Sequence, residues 1–466
     1  MIYKKVAFVN PPTIDDSPKM IRTFDCNTES KGNYLYQPYD FVLMSAKFRE
    51  GYELIFVDCV ADSISPKEAL KKLKKEDPET FFIVVGENLF DSDTQFVEQV
   101  RAQHPESKIV VFGAPFVERW AQIKVRDYVD GILHNPLTFD PEKIVREREG
   151  LLSEEGFVSD EDKFLDPRRK AAREVNVGIP MHDLFLSRRY RWPFAESFKY
   201  TSVFISWGCP YSCSYCILNS FPNIYRSSND VLNELEEIKK YGLREIYFAD
   251  RSFGLPVETA KTILKGMIKR KFKFRWSSYF HPNQYDSELL RLMKKSGCHT
   301  IIVGIETQDF NQLKVFGRHQ KGDKLKDLIR DCKKYGIKIC GDFIFGLPNQ
   351  TREEVEKTIS FSRDVGIDYA SFNIAAPLPG SVIKKAALDD GSLRNEDVHY
   401  DSLGKYNALG NGLMSGNELI ELRNKAVRSF YLRPSYLVKR LLTIRSLQQF
   451  IIQFSEMISI LKKASP

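Results

Sequence analysis

The feature that most constrains the fold is a strand-helix unit that repeats six times between residues 202 and 375. The predicted strands are the apolar runs Ser202–Ser206, Glu245–Ala249, Phe274–Tyr279, Thr300–Ile305, Lys338–Phe345 and Tyr369–Ala375. The predicted helices that separate them are Val231–Tyr241, Val257–Lys271, Ser287–Lys295, Lys324–Tyr335 and Arg352–Val365. Repeated units of this length predict a partial (β/α)6 barrel of the TIM type over residues 200–385. In such barrels the reactive groups lie on loops after the carboxyl ends of the strands.

A second alternation of strands and helices occupies residues 1–145. Its apolar runs are Lys5–Pro12, Glu53–Asp58, Phe81–Gly86 and Lys108–Gly113, and this spacing predicts a doubly wound, Rossmann-like α/β domain. Open sheets of this kind bind ligands beyond the carboxyl ends of their strands. The pattern therefore predicts a domain that could bind a nucleotide or a cofactor, and a docking domain with an empty crevice is the alternative.

Two less regular regions complete the organisation. Residues 146–199 are charged and contain the breakers Pro167, Pro180 and Pro193, so we interpret them as a linker across the domain junction. Residues 386–466 are predicted to form a helical C-terminal region. Between Arg428 and Lys463 seven Lys or Arg residues stand against Glu456 alone, among many apolar residues. This basic amphipathic pattern predicts a segment that caps the barrel or docks a partner, with peripheral membrane contact as the alternative.

Three cysteines follow the first predicted barrel strand in the run CPYSCSYC, residues 209–216. The spacing Cys-x3-Cys-x2-Cys puts three thiolates within reach of one polynuclear iron-sulfur cluster and leaves the cluster one ligand short. A structural zinc site or an electron-transfer cluster normally recruits four protein ligands. The missing ligand therefore points to a small molecule that completes the site, and zinc or a disulfide is the alternative.

Composition excludes several classes of protein. At 466 residues the chain suits two or three domains, and with 42% hydrophobic and 28% charged residues it is typical of globular proteins. The net charge of +7 is scattered rather than gathered in one basic block, so we expect no nucleic-acid partner. Eight cysteines without a pairing pattern favour a reducing cytoplasm. No run approaches the ~20 apolar residues of a membrane-spanning helix.

The barrel half resembles the radical S-adenosylmethionine (SAM) enzymes, on a match to Cys209, Cys213 and Cys216 and to the aromatic Tyr215 that precedes the third cysteine. The resemblance covers about residues 200–379. It implies a [4Fe-4S] cluster on the three thiolates and SAM on the fourth iron, with Tyr215 beside the adenine. It also implies a reductant such as flavodoxin or ferredoxin. A non-enzymatic iron-sulfur scaffold is the alternative.

The same resemblance suggests further SAM contacts at strand ends. Asp250 ends the second barrel strand, where the family receives the amino group of SAM. Glu306 ends the fourth, where a carboxylate can accept the ribose hydroxyls; a helix-capping role is its alternative. Gly341 lies on the fifth strand and would let the backbone approach adenine or the methionine stem, with simple packing as the alternative.

The order of parts, with Asn10-Pro-Pro12 at the start and a Pro-x-Pro-Gly turn at residues 377–380, looks like the cobalamin-dependent radical SAM group. That resemblance implies cobalamin bound near Asn10, Gly86 and Gly113, and methylation of an unactivated carbon in a small-molecule or lipid substrate. The Asp-x-His-x-x-Gly segment by which many cobalamin domains ligate cobalt is absent. A cobalamin-free radical SAM oxidoreductase or cyclase is therefore the alternative.

One histidine and five isolated cysteines outside the motif are considered separately. His104 precedes Pro105 and is predicted to lie on the surface. The isolated residues Cys59, Cys298, Cys332 and Cys340 are predicted to be small buried residues. Cys26 is left open, because it lies in the long loop Thr13–Gln37 near the expected domain interface.

Overall fold

The computed structural model describes residues 4–13, 20–23, 26–29, 34–146, 173–186, 189–394, 400, 408–443 and 458. Much of the predicted linker and most of the predicted tail beyond residue 443 lie outside the described residues. No helix among the described residues is long and apolar enough to cross a membrane.

The first half is a parallel sheet with helices on both faces, as the sequence predicts. Its strands pair in the order β4-β1-β5-β6-β7, and the chain also forms a small antiparallel hairpin, β2-β3. The elements are β1 (Lys4–Asn10), β2 (Met20–Thr23), β3 (Cys26–Glu29), α1 (Tyr39–Ser45), β4 (Tyr52–Asp58), α2 (Cys59–Asp62), α3 (Pro66–Glu76), β5 (Thr80–Val84), α4 (Phe90–Gln103), β6 (Lys108–Phe112), α5 (Arg119–Val125), β7 (Gly131–Ile132) and α6 (Pro141–Arg146). The central strands are buried on both faces, which explains why they read as continuous apolar runs.

The second half is an open parallel sheet of six strands in the order β16-β15-β14-β13-β12-β9, which confirms the partial barrel. Its strands are β9 (Tyr200–Val203), β12 (Glu245–Phe248), β13 (Arg275–Phe280), β14 (Cys298–Glu306), β15 (Lys338–Phe345) and β16 (Tyr369–Ile374). Its helices are α7 (Ser228–Lys240), α8 (Val257–Lys269), α9 (Ser287–Lys295), α10 (Phe310–Val315), α11 (Gly322–Tyr335), α12 (Arg352–Asp364) and α13 (Val382–Asp389).

Local sequence explains where these helices begin. At α12 the Thr351 side chain accepts from the Glu354 amide, and the Glu354 carboxylate accepts from the Thr351 amide at 2.7 Å. This reciprocal capping satisfies two amides that the first turn of a helix leaves without partners. The helix then buries Val355 and Ile359 against the sheet, at the spacing expected for one helical face.

The linker is more ordered than predicted. Arg173–Val175 forms β8, which pairs in parallel with β11 (Ile224–Arg226), and β11 pairs in turn with β10 (Ser206–Trp207). Farther on, Trp192 stacks on Tyr247 of β12 with ring centroids 3.7 Å apart and donates to Ser277 Oγ at 2.7 Å. The linker therefore packs into the barrel, and one hydrophobic cluster runs from the first sheet through Trp192 to the barrel strands.

The helical C-terminal region covers the open edge of the barrel sheet. Helix α14 (Gly416–Tyr431) packs beside β16, and the Tyr431 hydroxyl donates to the Ala370 carbonyl at 2.7 Å and accepts from the Ala370 amide at 3.2 Å. An edge strand exposes backbone groups of this kind, and covering them blocks pairing with other chains. Helix α15 (Pro434–Thr443) follows. The segment that was predicted to cap the barrel, Arg428–Lys463, shares only its first four residues with α14, so its capping role stays a prediction.

Candidate functional site

The three motif cysteines lie in one loop that follows β10. Gly208, at the start of the loop, has a φ of 78°, and a Cβ there would lie 2.2 Å from the Pro222 carbonyl oxygen, so the turn requires glycine. Cys213 is buried, whereas Cys209 and Cys216 are half-buried. The loop is held from outside as well, because the Ser214 amide donates to the Phe316 carbonyl at 2.9 Å. The thiols are therefore fixed on a short, anchored loop at the carboxyl end of the barrel.

A polynuclear cluster and a single metal ion make different geometric demands on three thiols. The seven cysteines whose side chains are described form no disulfide, and within the described residues no three His, Cys, Asp or Glu side chains converge on one metal position. A tetrahedral zinc site needs such convergence. In a [4Fe-4S] cluster each thiolate binds a different iron, so the thiols need only surround the cluster.

Arg318, which the sequence analysis did not identify, connects the cysteine loop to the end of β14. Its Nη1 donates to Cys213 Sγ at 3.8 Å, its Nη2 lies 3.5 Å from Glu306 Oε1, and its Nε donates to Gln320 Oε1 at 3.2 Å. The guanidinium is buried, and although burial acts to lower its pKa, the carboxylate of Glu306 raises the pKa overall. Arg318 therefore stays cationic beside the thiols. In the sequence, Arg318 belongs to no recognised motif and simply follows Gly317.

Glu306 and Tyr215 meet at this arginine. Glu306 has a positive φ of 67° at an irregularity in the pairing of β14 with β15, and this turns the residue out of the regular strand. Burial raises the pKa of Glu306, while Arg318 acts in the opposite direction. Burial, followed by the charge of Glu306, likewise raises the pKa of Tyr215 well above its usual value. The structure thus brings two predicted SAM contacts together next to Cys213.

The carboxylate of Asp250 binds the backbone of the segment that leads into the cysteine loop. Its carboxylate accepts from the Ser206 amide at 2.5 Å, from Ser206 Oγ at 2.6 Å and from the Ile205 amide at 3.2 Å. Burial raises its pKa to about 6 despite these bonds. The described contacts make Asp250 a residue that positions the start of the loop. Its predicted contact with the amino group of SAM stays a prediction.

A second residue that the sequence analysis missed, His281, lies just beyond β13. Its ring stacks on Tyr211 of the cysteine loop with centroids 3.9 Å apart. Its Nδ1 accepts from the Asn283 amide at 3.2 Å, which leaves the proton of the neutral ring on Nε2. Nε2 is buried and has no hydrogen-bond partner among the described residues. Burial, with Arg318 nearby, lowers the pKa of His281 to about 2, so the ring is neutral.

Packing explains Gly341 more directly than cofactor contact. A Cβ at Gly341 would lie 2.8 Å from Ile367 Cδ1 and 2.9 Å from Ile305 Cδ1, both in the apolar layer between the sheet and its helices. The position thus faces the outer layer, away from the barrel interior. The alternative that the sequence analysis left open, a packing glycine, is the one that the contacts favour.

The residues predicted to lie near cobalamin at the edge of the first sheet make contacts within the chain. Asn10 donates to Asp58 Oδ1 at 2.8 Å and accepts from Arg22 at 3.2 Å. The Gly86 amide donates to Asp93, which also forms a fully buried ion pair with Arg22. A Cβ at Gly113 would lie 2.0 Å from the Val85 carbonyl oxygen, so this glycine is required by the sheet itself. The side chain of Asn10 and the amide of Gly86 are therefore already bonded within the chain, and packing against Val85 explains Gly113; their predicted contacts with cobalamin stay predictions.

The carboxyl edges of the two sheets face each other across a short polar junction. Lys384 of α13, in the segment after the Pro-x-Pro-Gly turn, donates to Glu118 Oε2 at 2.6 Å, and the Gly380 amide donates to Glu118 Oε1 at 3.3 Å. Glu87, in the loop after β5, is buried, and burial raises its pKa to about 8 while Lys384 acts to lower it. The loop after β5 and the loop before α5 are thereby placed on the same side of the molecule as the cysteine loop.

The surface position predicted for His104 is wrong. The side chain is 4% exposed, packs on Phe81 with centroids 5.0 Å apart and lies 3.3 Å from Asp77 Oδ1. The ring fills the space between α4 and the sheet, so the neighbouring Pro105 did not indicate exposure. The prediction for Cys59, Cys298, Cys332 and Cys340 is confirmed, since all four are buried. The side chain of Cys26 lies outside the described residues.

Residues 203–362 match the Radical SAM superfamily. An uncharacterised methyltransferase of Pyrococcus horikoshii is 28% identical over 93% of this chain and 94% of its own length. A cytidylyl-2-hydroxyethylphosphonate methyltransferase of Streptomyces wedmorensis is 24% identical over 54% of this chain and 50% of its own length.

Two solved structures share the fold. The radical SAM methyltransferase TsrM of Kitasatospora setae, with cobalamin and a [4Fe-4S] cluster bound, aligns with a TM-score of 0.64 at 16% identity, covering 83% of this chain and 79% of its own. The cobalamin-dependent radical SAM enzyme OxsB, with aqua-cobalamin and SAM bound, aligns with a TM-score of 0.64 at 13% identity, covering 98% of this chain and 72% of its own. At these identities the likeness is one of fold.

Proposed function

We propose that the chain is a radical SAM methyltransferase that acts on an unactivated carbon of a small biosynthetic molecule, with cobalamin as the methyl carrier; the match of residues 203–362 to the Radical SAM superfamily supports the radical chemistry. The observation that carries the proposal is the junction at Glu118, which binds Gly380 and Lys384 in the segment after β16. In the same segment the Val382 amide donates to the Ser214 carbonyl of the cysteine loop at 2.8 Å, so the carboxyl edge of the first sheet lies close to that loop. A carrier held by one sheet would then face a radical source held by the other. The full-length similarity to a protein named as a methyltransferase supports the same conclusion.

The chain supplies residues for the radical source. Cys209, Cys213 and Cys216 would hold the cluster, whose chemistry when bound is the reductive cleavage of SAM to a 5'-deoxyadenosyl radical. Arg318 keeps a positive charge beside Cys213, and a cation there offsets the negative charge of the thiolates. Glu306 and Tyr215 would orient SAM. Asp250 fixes the position of Ser206, which precedes Cys209 by three residues in the sequence.

The support for cobalamin is the fold shared with TsrM and OxsB and the order of the parts along the chain. It does not come from Asn10, Gly86 or Gly113, whose groups are used internally. We therefore assign the expected contacts to the loops at residues 86–88 and 113–118 as a whole. Glu87 lies in the first of these loops; it is buried, and burial raises its pKa to about 8 while the charge of Lys384 acts to lower it.

A second function follows from the same observations. The buried network of Arg22, Asp93, Asn10 and Asp58 fills the edge of the first sheet with satisfied polar groups. Such a network favours a first domain that only shapes the active site. The corresponding enzyme is a cobalamin-free radical SAM oxidoreductase or cyclase.

The remaining expectations concern partners and location. A small-molecule substrate is the leading expectation, with a lipid substrate as the alternative, and an acidic reductant such as flavodoxin or ferredoxin is expected to reduce the cluster. A reducing cytoplasm is supported by the seven described cysteines, all of them outside disulfides.

The experiment is anaerobic reconstitution of the full chain, followed by analysis of the products of SAM after addition of a reductant. S-adenosylhomocysteine together with 5'-deoxyadenosine supports methylation, and 5'-deoxyadenosine alone supports the oxidoreductase or cyclase. A chain that binds iron and yields neither product contradicts both. The Cys213→Ser variant is the matched control for both products. Retention of cobalamin absorption bands after purification with added hydroxocobalamin tests the carrier separately.

A further inference from the structure

A basic cavity lies at the opposite end of the barrel from the cysteine loop. Its volume is about 230 Å³, and it opens between helix α15 and the strands β15 and β16. The charged side chains that line it are Lys338, Arg363, Asp368, Arg433, Lys439 and Arg440. Five of these six side chains are cations, and the single carboxylate, on Asp368, is already paired with Lys439 at 3.1 Å. The cavity therefore carries a net positive charge that the lining itself does not neutralise.

The arginines of the cavity are held in place by aromatic rings. The Arg433 guanidinium lies 4.4 Å from the Phe430 ring centroid, and its Nε donates to the Phe430 carbonyl at 3.0 Å. The Arg440 guanidinium lies 4.6 Å from the Tyr369 ring centroid and donates to the Tyr369 hydroxyl at 3.0 Å. Stacked guanidinium groups lose little freedom when they bind an anion. Burial lowers the pKa of Arg433, and the neighbouring charge of Arg363 acts in the same direction.

The same helix carries an apolar row on its outer side. Val438, Leu441 and Leu442 are 56%, 62% and 80% exposed. Their spacing of three and four residues places them on one helical face. The opposite face packs inward through Tyr436, whose ring lies 5.4 Å from that of Phe430. An exposed aliphatic row beside a cationic cleft is the pattern of a helix that lies in a membrane interface.

We infer that α15 and its basic cavity form a docking site for an anionic phospholipid surface, in which the cavity receives a headgroup phosphate and the aliphatic row enters the interface. The helix begins at Pro434 and is ten residues long, so its first amides add partial positive charge next to Ser435 in the cavity. The chain continues with Arg445, Lys462 and Lys463 against Glu456 alone. The composition of that continuation is complementary to an anionic surface.

The position of the site argues against a reductant as its occupant. Lys338 begins β15, and the strand runs eight residues to Phe345 at the other end of the barrel. At about 3.3 Å per residue the strand separates the cavity from the cysteine end by about 23 Å. A reductant bound here would lie a full barrel length from the cluster loop. The site therefore anchors the enzyme, and it does not deliver electrons or present substrate to the cysteine loop.

The test is co-sedimentation of the full-length protein with vesicles of phosphatidylglycerol mixed with phosphatidylcholine and with vesicles of phosphatidylcholine alone. We expect binding only to the anionic vesicles, and weaker binding as salt is raised. The Lys439→Gln, Arg440→Gln double variant should bind about 25-fold more weakly, since each cation near an anionic surface contributes about fivefold. The Leu441→Ser, Leu442→Ser variant should bind about tenfold more weakly or worse.

The matched control is Lys71→Gln, Lys75→Gln, which removes the same charge from the exposed face of α3 and should bind normally. Lys439→Gln alone serves if loss of Arg440 affects folding, because Lys439 is an exposed side chain. Equal binding by the α15 variants and the wild type would overturn the inference. It would also be overturned if inorganic phosphate, measured by calorimetry, binds through Lys439 and Arg440 while anionic vesicles do not. The inference would likewise be overturned if the protein binds an acidic protein selectively and does not bind anionic vesicles. SAM cleavage should be unchanged in all these variants, so a failure here leaves the proposed function untouched.

Discussion

The pKa of the Asp250 carboxylate tests whether burial or hydrogen bonding has the larger effect next to the segment that precedes the cysteine loop. Three donors, the amides of Ile205 and Ser206 and the Ser206 hydroxyl, favour the ionised form, whereas complete burial disfavours it. Burial dominates, because the pKa rises from 3.8 to about 6. Each tenfold change in acid dissociation corresponds to about 1.4 kcal/mol, so ionisation inside the protein costs about 3 kcal/mol more than in the unfolded chain.

The sign of the pH dependence follows from this. Below about pH 4 Asp250 is protonated in both the folded and the unfolded chain, and its contribution to stability is fully present. Between about pH 4 and pH 6 the unfolded chain loses the proton and the folded chain keeps it, so stability falls as pH rises. The Asp250→Asn variant does not titrate. The free energy of unfolding of the wild type, relative to Asp250→Asn, should therefore fall by about 3 kcal/mol from about pH 4 to about pH 7.

The assay is urea unfolding of the cluster-free, reduced protein at a series of pH values, with both variants measured in parallel so that other titrating groups cancel. Ser206→Ala is the matched control. It removes one donor to the carboxylate and should move the fall in stability to higher pH. A relative stability that is flat, or that rises with pH, would refute the reasoning, because it would mean that the three hydrogen bonds outweigh burial.

Three further variants test other parts of the structure. Cys213→Ser should abolish iron-sulfur absorption after reconstitution while Cys332→Ser, buried in α11, keeps it; equal loading would contradict the assignment. Gly113→Ala should lower the free energy of unfolding by about 3 kcal/mol or more, because the new methyl group would collide with the Val85 carbonyl of the neighbouring strand. A loss below about 1 kcal/mol in urea unfolding would be inconsistent with that contact. Arg318→Met should lower the free energy of unfolding by about 3–5 kcal/mol, since it leaves the buried Glu306 without its cation. Adding Glu306→Gln should recover part of this loss, and no recovery would show that the pair is not coupled.

The sheets were predictable because their strands obey one simple rule. Strands of a parallel sheet covered on both faces are continuous apolar runs, and all ten long runs identified in the sequence became strands. The strands that were missed, such as Gly131–Ile132 and Arg173–Val175, have two or three residues and no apolar run. Their pairing is decided by neighbours far away in the sequence. No local pattern records such a choice.

The candidate site divides in the same way. The thiols were predictable because one loop supplies all three, so their spacing alone carries the information. Arg318 and His281 come from two different loops and become part of the site only through contacts with Cys213 and Tyr211. Asp250 was predicted at the end of a strand, and its hydrogen bonds to Ser206 and Ile205 were not predicted. Its position at a strand end is a property of the sequence, while the group it contacts is decided by the neighbouring strand.

The linker decides from which side a substrate can reach the cysteine loop. Trp192 lies across Tyr247, and Phe194 packs on Tyr369 with centroids 5.5 Å apart, so two aromatic rings fill the amino end of the barrel interior. Tyr36 adds a third ring, 5.1 Å from Trp192. With this end closed by packed aromatic groups, the open approach is at the carboxyl edge, where the loops at residues 86–88 and 113–118 face the barrel. We therefore expect the side chains that select a substrate to come from these two loops as well as from the barrel, and the cysteine motif alone does not identify the substrate.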